Sequence, residues 1–69
     1  MQEHVEKAME KLSNRERTAF VLRNYQDLPI REIADSMGVA EGTVKSLLFR
    51  ATQKLRKELA FVKAELDWT

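Results

Sequence analysis

The sequence predicts an all-α chain, a small four-helix domain, and three observations carry that reading. Only two Gly and one Pro interrupt its 69 residues, and the frequent Ala, Leu, Glu, Lys and Arg lose little freedom in a helix. Apolar residues recur at spacings of three and four in four separate segments, each bounded by residues suited to starting or stopping a helix. The third observation is electrostatic. Residues 42–57 hold Lys45, Arg50, Lys54, Arg56 and Lys57 and no acid, so +5 is concentrated in one segment of a chain whose net charge is +1. One helix is basic and the rest is not, the footprint of a module that lays one element against a polyanion.

The first helix is placed at roughly residues 2–12, where Val5, Met9 and Leu12, with Ala8 beside them, form one apolar face. Ser13-Asn14-Arg15-Glu16 has the form of a capping box, in which the Ser hydroxyl accepts from the Glu16 amide and the Glu carboxylate returns to the Ser13 amide. A second helix starts there, and Ala19, Phe20, Leu22 and Arg23 carry it to about Asn24. Tyr25 to Pro29 interrupt it, with Pro29 either ending the loop or taking the first position of the third helix. Ile30, Ile33, Ala34 and Met37 give that third helix one apolar face, and Gly38 is its natural stop, because left-handed backbone costs glycine no Cβ clash.

After the tight turn Gly38-Val39-Ala40, a fourth helix begins at Glu41. Advancing about 100° per residue, Val44, Leu48, Ala51 and Leu55 fall within about 40° of one line, which Leu59, Val62 and Leu66 extend. Leu47 lies about 60° from that line, on its shoulder. Ser46, Phe49, Arg50 and Gln53 fall on the opposite side, with Lys45 at its edge. Running unbroken to about Leu66, this helix spans roughly 39 Å. Met9, Met37 and Phe20 are read as core residues.

A short helix, a tight turn and a longer basic helix in this order make a helix-turn-helix, whose second helix enters the major groove. The expected architecture is therefore a four-helix domain with a C-terminal helix-turn-helix and a long recognition helix. It forms one domain over 1–69, with a core at about 8–59 and a helical extension over 60–69. A chain this short buries only about 60% of the surface its unfolded form exposes, so its stability is modest.

Several functions are excluded by composition. The absence of Cys removes disulfides, thiolate metal sites and cysteine chemistry. His4 is the only His and has no clustered ligand partners, so no metal and no cofactor are expected. There is no Gly-rich phosphate loop and no Ser/His/Asp set, so the chain is not read as an enzyme. No apolar run approaches the roughly 18 residues of a membrane span and the N-terminus has no signal-peptide pattern, so a cytoplasmic chain without membrane insertion is expected.

From Leu28 to Ala51 the sequence Leu-Pro-Ile-Arg-Glu-Ile-Ala-Asp-Ser-Met-Gly-Val-Ala-Glu-Gly-Thr-Val-Lys-Ser-Leu-Leu-Phe-Arg-Ala resembles region 4 of bacterial sigma factors, most closely the extracytoplasmic-function group. Leu12 to Arg23 is similar to the opening helix pair of the same region, so the resemblance covers about residues 8–59. Its most specific part is Glu41-Gly-Thr-Val-Lys-Ser, followed by Phe-Arg-Ala and Lys54-Leu-Arg. The resemblance implies a domain that reads the minus-35 promoter element in double-stranded DNA and docks on the β flap of the RNA polymerase core, as a monomer. Lys45, Ser46, Phe49 and Arg50 are then the base-proximal and backbone-contacting residues, Arg31 touches phosphate, and Thr43, Gln53 and Lys54 complete the DNA-binding set.

The sequence departs from the family pattern at three places. Ala40 stands where many members have a capping Ser, a change that typically costs ~1 kcal/mol. Leu47 and Thr52 stand where Arg is common, which predicts weaker DNA binding. Nothing in the 69 residues resembles sigma region 2. Two other functions share some of these signals. A LuxR-type effector domain has the Glu-Ile-Ala and Thr-Val-Lys signals but acts as a dimer on paired half-sites, and Phe49-Arg50-Ala51 argues against it. A protein-binding helical module would set the basic face against an acidic partner. Phe61 and Trp68, seven apart on one face, read either as incidental aromatics of a tail or as an apolar patch for a partner such as an anti-sigma factor.

Overall fold

The computed structural model describes the backbone of residues 2–67 and the side chains of residues 6–59. It contains α1 (Gln2–Glu10), α2 (Asn14–Asn24), α3 (Ile30–Met37) and α4 (Glu41–Asp67), and no strand occurs among the described residues. The side chains of His4, Val5, Phe61, Val62 and Leu66, and all of Trp68, lie outside the described residues.

Local chemistry accounts for each boundary. The first helix ends two residues earlier than its apolar spacing suggests. The amides of Lys11 and Leu12 donate to the carbonyls of Ala8 and Met9, each at 3.1 Å, a tighter i to i−3 turn that leaves Leu12 buried at 4% exposure. The capping box then forms in full: the Glu16 amide donates to Ser13 Oγ at 3.2 Å, and the Ser13 amide donates to Glu16 Oε1 at 2.9 Å. In the loop after α2, the Leu28 amide donates to Leu22 O and the Arg23 guanidinium to Leu28 O, both at 3.0 Å. Pro29 is the N-cap of α3 rather than its first residue, extended at φ −67° and without a side-chain acceptor to offer. Gly38 has φ +70°, and the Val39 amide closes the helix end on Ala34 O at 3.0 Å, the left-handed termination its sequence predicts.

α4 packs against each of the other three helices, and α2 also packs against α3. The interior divides into two clusters that share α4 as a wall. Ala19, Ile33, Ala34, Val44 and Leu47 form the one inside the helix-turn-helix. Ala8, Leu12, Ala51 and Leu55 form the other, between α1 and the middle of α4. Each of the four helices contributes an almost fully buried alanine: Ala8, Ala19, Ala34 and Ala51 are all at 4% exposure or less. With only a methyl group between them, the helix backbones approach closely.

Two expectations need correction. Leu47, placed on the shoulder of the buried stripe, is buried at 7% exposure, while Leu48, placed within the stripe, is only half-buried. The stripe is turned toward Leu47, which joins Ala19 of α2 and Ile33 and Ala34 of α3 in one buried cluster, while Leu48 packs at its margin. Leu47 therefore belongs to the core. Met9, Met37 and Phe20 sit at the margins of the two clusters, half-buried rather than central.

Candidate nucleic-acid interface

Three helices cover one side of α4, and over residues 41–59 its opposite side is left to solvent. Lys45, Ser46, Phe49, Arg50 and Gln53 are all exposed, as rotation along the helix predicts, and Thr43 is exposed with them. Val44, Leu47, Ala51 and Leu55, buried on the other side, fix which way the helix is turned. Phe49 stands out at 65% exposure. A large apolar ring held in water among polar and cationic neighbours contributes nothing to the core.

The exposed residues divide by position around the helix. Thr43, Ser46 and Arg50 line one shallow hollow together with Gly42 and the edge of Leu47, while Lys45 and Phe49 occupy the flank beside it at about 100° per residue. Gly42 was absent from the expected site. Its spacing of four from Ser46 and eight from Arg50 is the signal that places it there. A Cβ added at Gly42 would meet nothing within 4 Å, so the small residue leaves room on the outside rather than fitting the core. Arg31 is exposed in the first turn of α3, the short helix preceding the turn. Gln53 lines a second hollow with Lys54, Arg56 and Lys57.

Lys54 differs from the other site residues because its ammonium has a partner inside the protein, Glu16 Oε1 at 2.7 Å. The Glu16 side chain is 5% exposed and that of Lys54 45%. One carboxylate oxygen thus accepts from both the Ser13 amide and the Lys54 ammonium. These hydrogen bonds, with that of Lys54 foremost, outweigh burial and hold the Glu16 carboxyl below the usual carboxylate range. The contact joins the start of α2 to the middle of α4 across 38 residues of sequence. Its chemistry is that of a fastener, and the Lys54 charge is largely neutralised.

Among the described residues, no group of three or more His, Cys, Asp or Glu is placed to hold a metal ion, and no helix is long and apolar enough to cross a membrane. The face offers hydroxyl, amide, guanidinium, ammonium and aromatic groups on a rod about 10–12 Å across, matched to a major groove roughly 12 Å wide.

Fold and exposed face together define a helix-turn-helix protein whose second helix is presented outward. Residues 2–55 match the family model for sigma-70, region 4, and the chain belongs to that family. It is 42% identical over 52 residues to the RNA polymerase sigma-E factor of Streptomyces antibioticus, covering 75% of this chain and 29% of that protein. With the sigma-E factor of Streptomyces coelicolor the identity is 41% over 56 residues, 81% of this chain and 30% of the relative. The RNA polymerase sigma factor SigV of Bacillus subtilis is 38% identical over 52 residues, 75% of this chain and 31% of the relative. The chain thus spans less than a third of the length of these relatives.

Proposed function

We propose that this domain reads the minus-35 promoter element as region 4 of an extracytoplasmic-function sigma factor, acting with RNA polymerase through its β flap to direct transcription initiation. The observation that carries the reading is the solvent-held Phe49 on one face with Lys45, Ser46, Arg50 and Gln53. Arg50 addresses a guanine, because its planar fork matches the O6 and N7 acceptors of that base, a contact worth about 1–3 kcal/mol of discrimination. Phe49 packs against a thymine methyl or a base edge beside it. Lys45 and Arg31 hold phosphate, and Ser46, Thr43 and Gln53 adjust register. Lys54 is left out of the DNA-contacting set, since Glu16 holds its ammonium.

The domain binds as a monomer in the cytoplasm, needs no metal or cofactor, and performs no chemistry of its own. Its affinity alone is low, and polymerase supplies the remainder. Membership of the sigma-70 region 4 family favours this reading over the LuxR-type one, whose dimers require paired half-sites. An anti-sigma factor is a further partner of this class of domain.

The test is selection of bound sequences from a random duplex pool at low ionic strength. One asymmetric motif is expected. An inverted repeat would point to a dimeric regulator, and no enrichment to a protein-binding module. With the motif in hand, Arg50→Ala should flatten preference at one base position, whereas Lys45→Ala should weaken all sequences alike and lower the salt slope by about 0.9. If Arg50→Ala leaves the ranking of single-base variants unchanged, Arg50 is a backbone contact and the base-reading role fails.

A further inference from the structure

The five cations of residues 42–57 are exposed but not equivalent. On a helix the nearest surface neighbours of a side chain lie three and four residues away. Lys45 has Glu41 four residues before it, and Lys54 has Glu58 four residues after it in addition to the buried Glu16. Arg50 has Ser46, Leu47, Gln53 and Lys54 at those spacings; Arg56 has Thr52, Gln53, Leu59 and Ala60; Lys57 has Gln53, Lys54, Ala60 and Phe61. None of these is acidic. Among the described residues the Lys54–Glu16 pair is the only ion pair within 4 Å. Of the five cations of residues 42–57, Arg50, Arg56 and Lys57 thus have neither an ion pair nor an acidic residue at those spacings, and two of the three lie further along the helix than the proposed base-reading residues.

Geometry separates Arg56 and Lys57 from base reading. At about 1.5 Å per residue they lie roughly 15–16.5 Å beyond Ser46 along the axis. A straight helix follows a curving groove for only a few turns, so over that distance it rises from the groove floor to the phosphate rim. Around the axis, Arg56 and Lys57 fall about 60° and 40° to either side of Gln53, and with it and Lys54 they line the second hollow. From the reading of α4 as the promoter-binding helix, on which this step rests, we infer that Arg56 and Lys57 grip backbone phosphates of the duplex that flanks the recognised bases. The contact sets affinity and register and carries no sequence preference.

The experiment compares the wild-type chain with an Arg56→Gln/Lys57→Gln double variant. Binding is measured by fluorescence anisotropy over a salt series, on duplexes ending flush with the selected motif or extended on one flank or the other. Gln preserves helix propensity, and circular dichroism checks the fold. The double variant should lower the salt slope by about 1.8, roughly 60-fold in affinity at about 0.1 M salt, without changing the ranking of single-base variants. Extending one flank, but not the other, should strengthen wild-type binding and leave the double variant unaffected. An Arg56→Lys/Lys57→Arg variant should keep the wild-type slope. So should Lys7→Gln, on α1, the helix packed against the opposite side of α4.

A double variant that retains the wild-type slope and the flank effect would overturn this inference while leaving the promoter reading intact. A changed ranking of base variants would overturn it in another way, by making these residues base readers. A wild-type chain that shows no salt-dependent duplex binding at all would overturn the promoter reading and this inference with it.

Discussion

Replacing Glu16 tests how α4 is held to the rest of the domain. Glu16→Gln retains the shape and the carbonyl acceptor that serves the Ser13 amide at 2.9 Å, but it removes the charge paired with Lys54 at 2.7 Å. Exposed ion pairs contribute up to about 1 kcal/mol, and breaking a fully buried pair costs about 3–5 kcal/mol. With one partner buried and the other 45% exposed, the freed ammonium returns to water, and the loss should lie near the lower figure, about 1 kcal/mol. Glu16→Ala also strands the Ser13 amide, and its loss should reach about 2–3 kcal/mol.

The pH dependence has a definite sign. Because the folded carboxyl titrates below its ordinary value, its contribution is present above the unfolded pKa of about 4.3 and disappears as pH falls through the folded value. The gap between wild type and Glu16→Gln should therefore be full near neutral pH and close in acid. Urea unfolding followed by far-ultraviolet circular dichroism, near pH 7 and again below about pH 4, measures both quantities. Equal stability of the two proteins near neutrality, or a gap that persists undiminished in acid, would refute the reasoning.

Other expectations follow from single residues. Ala40→Ser supplies a side-chain acceptor where the Ala40 carbonyl already accepts from the amides of Thr43 and Val44. It should stabilise by about 0.5–1 kcal/mol, seen as a rise in Tm of several degrees; no change would mean that water already satisfies that helix end. Gly38→Ala, with φ +70° and nothing within 4 Å of the added Cβ, should cost about 1 kcal/mol from backbone strain alone. A neutral result in denaturant unfolding would show that the left-handed turn is not required. Ile33→Ala, at a fully buried position, should cost about 2–5 kcal/mol, and a loss under 1 kcal/mol would indicate that the helix-turn-helix cluster collapses around the gap.

Much of this molecule is legible in its sequence because its signals are local. The capping box at Ser13, the glycine stop at Gly38 and the start of α4 at Glu41 each depend on residues within four positions of one another, and each appears where expected. Periodicity also separated the buried side of α4 from the side bearing Ser46, Phe49 and Arg50. What it missed was set by neighbours distant in sequence. The exchange of Leu47 for Leu48 as the deeper residue reflects a rotation of a few tens of degrees, set by the helices packed on α4 and invisible to a single-helix projection. The inward engagement of Lys54 depends on a carboxylate 38 residues away, a partner that no spacing within α4 reveals.

The buried alanines give α4 a lever's mechanics. Ala51, fully enclosed, sits five residues beyond Ser46 and sixteen short of the last helical residue, Asp67. A tilt of about 10° about that point moves the backbone at Ser46 by roughly 1.3 Å and at Asp67 by roughly 4 Å, taking the rise as about 1.5 Å per residue. A side chain larger than methyl at Ala51 or Ala8 would act as a wedge at this fulcrum. It would shift the end bearing Ser46 by about the tolerance of a hydrogen bond while swinging the far end by about three times as much. Two arms of unequal length on one pivot turn the same small change in packing into a small displacement at Ser46 and a large one at the far end.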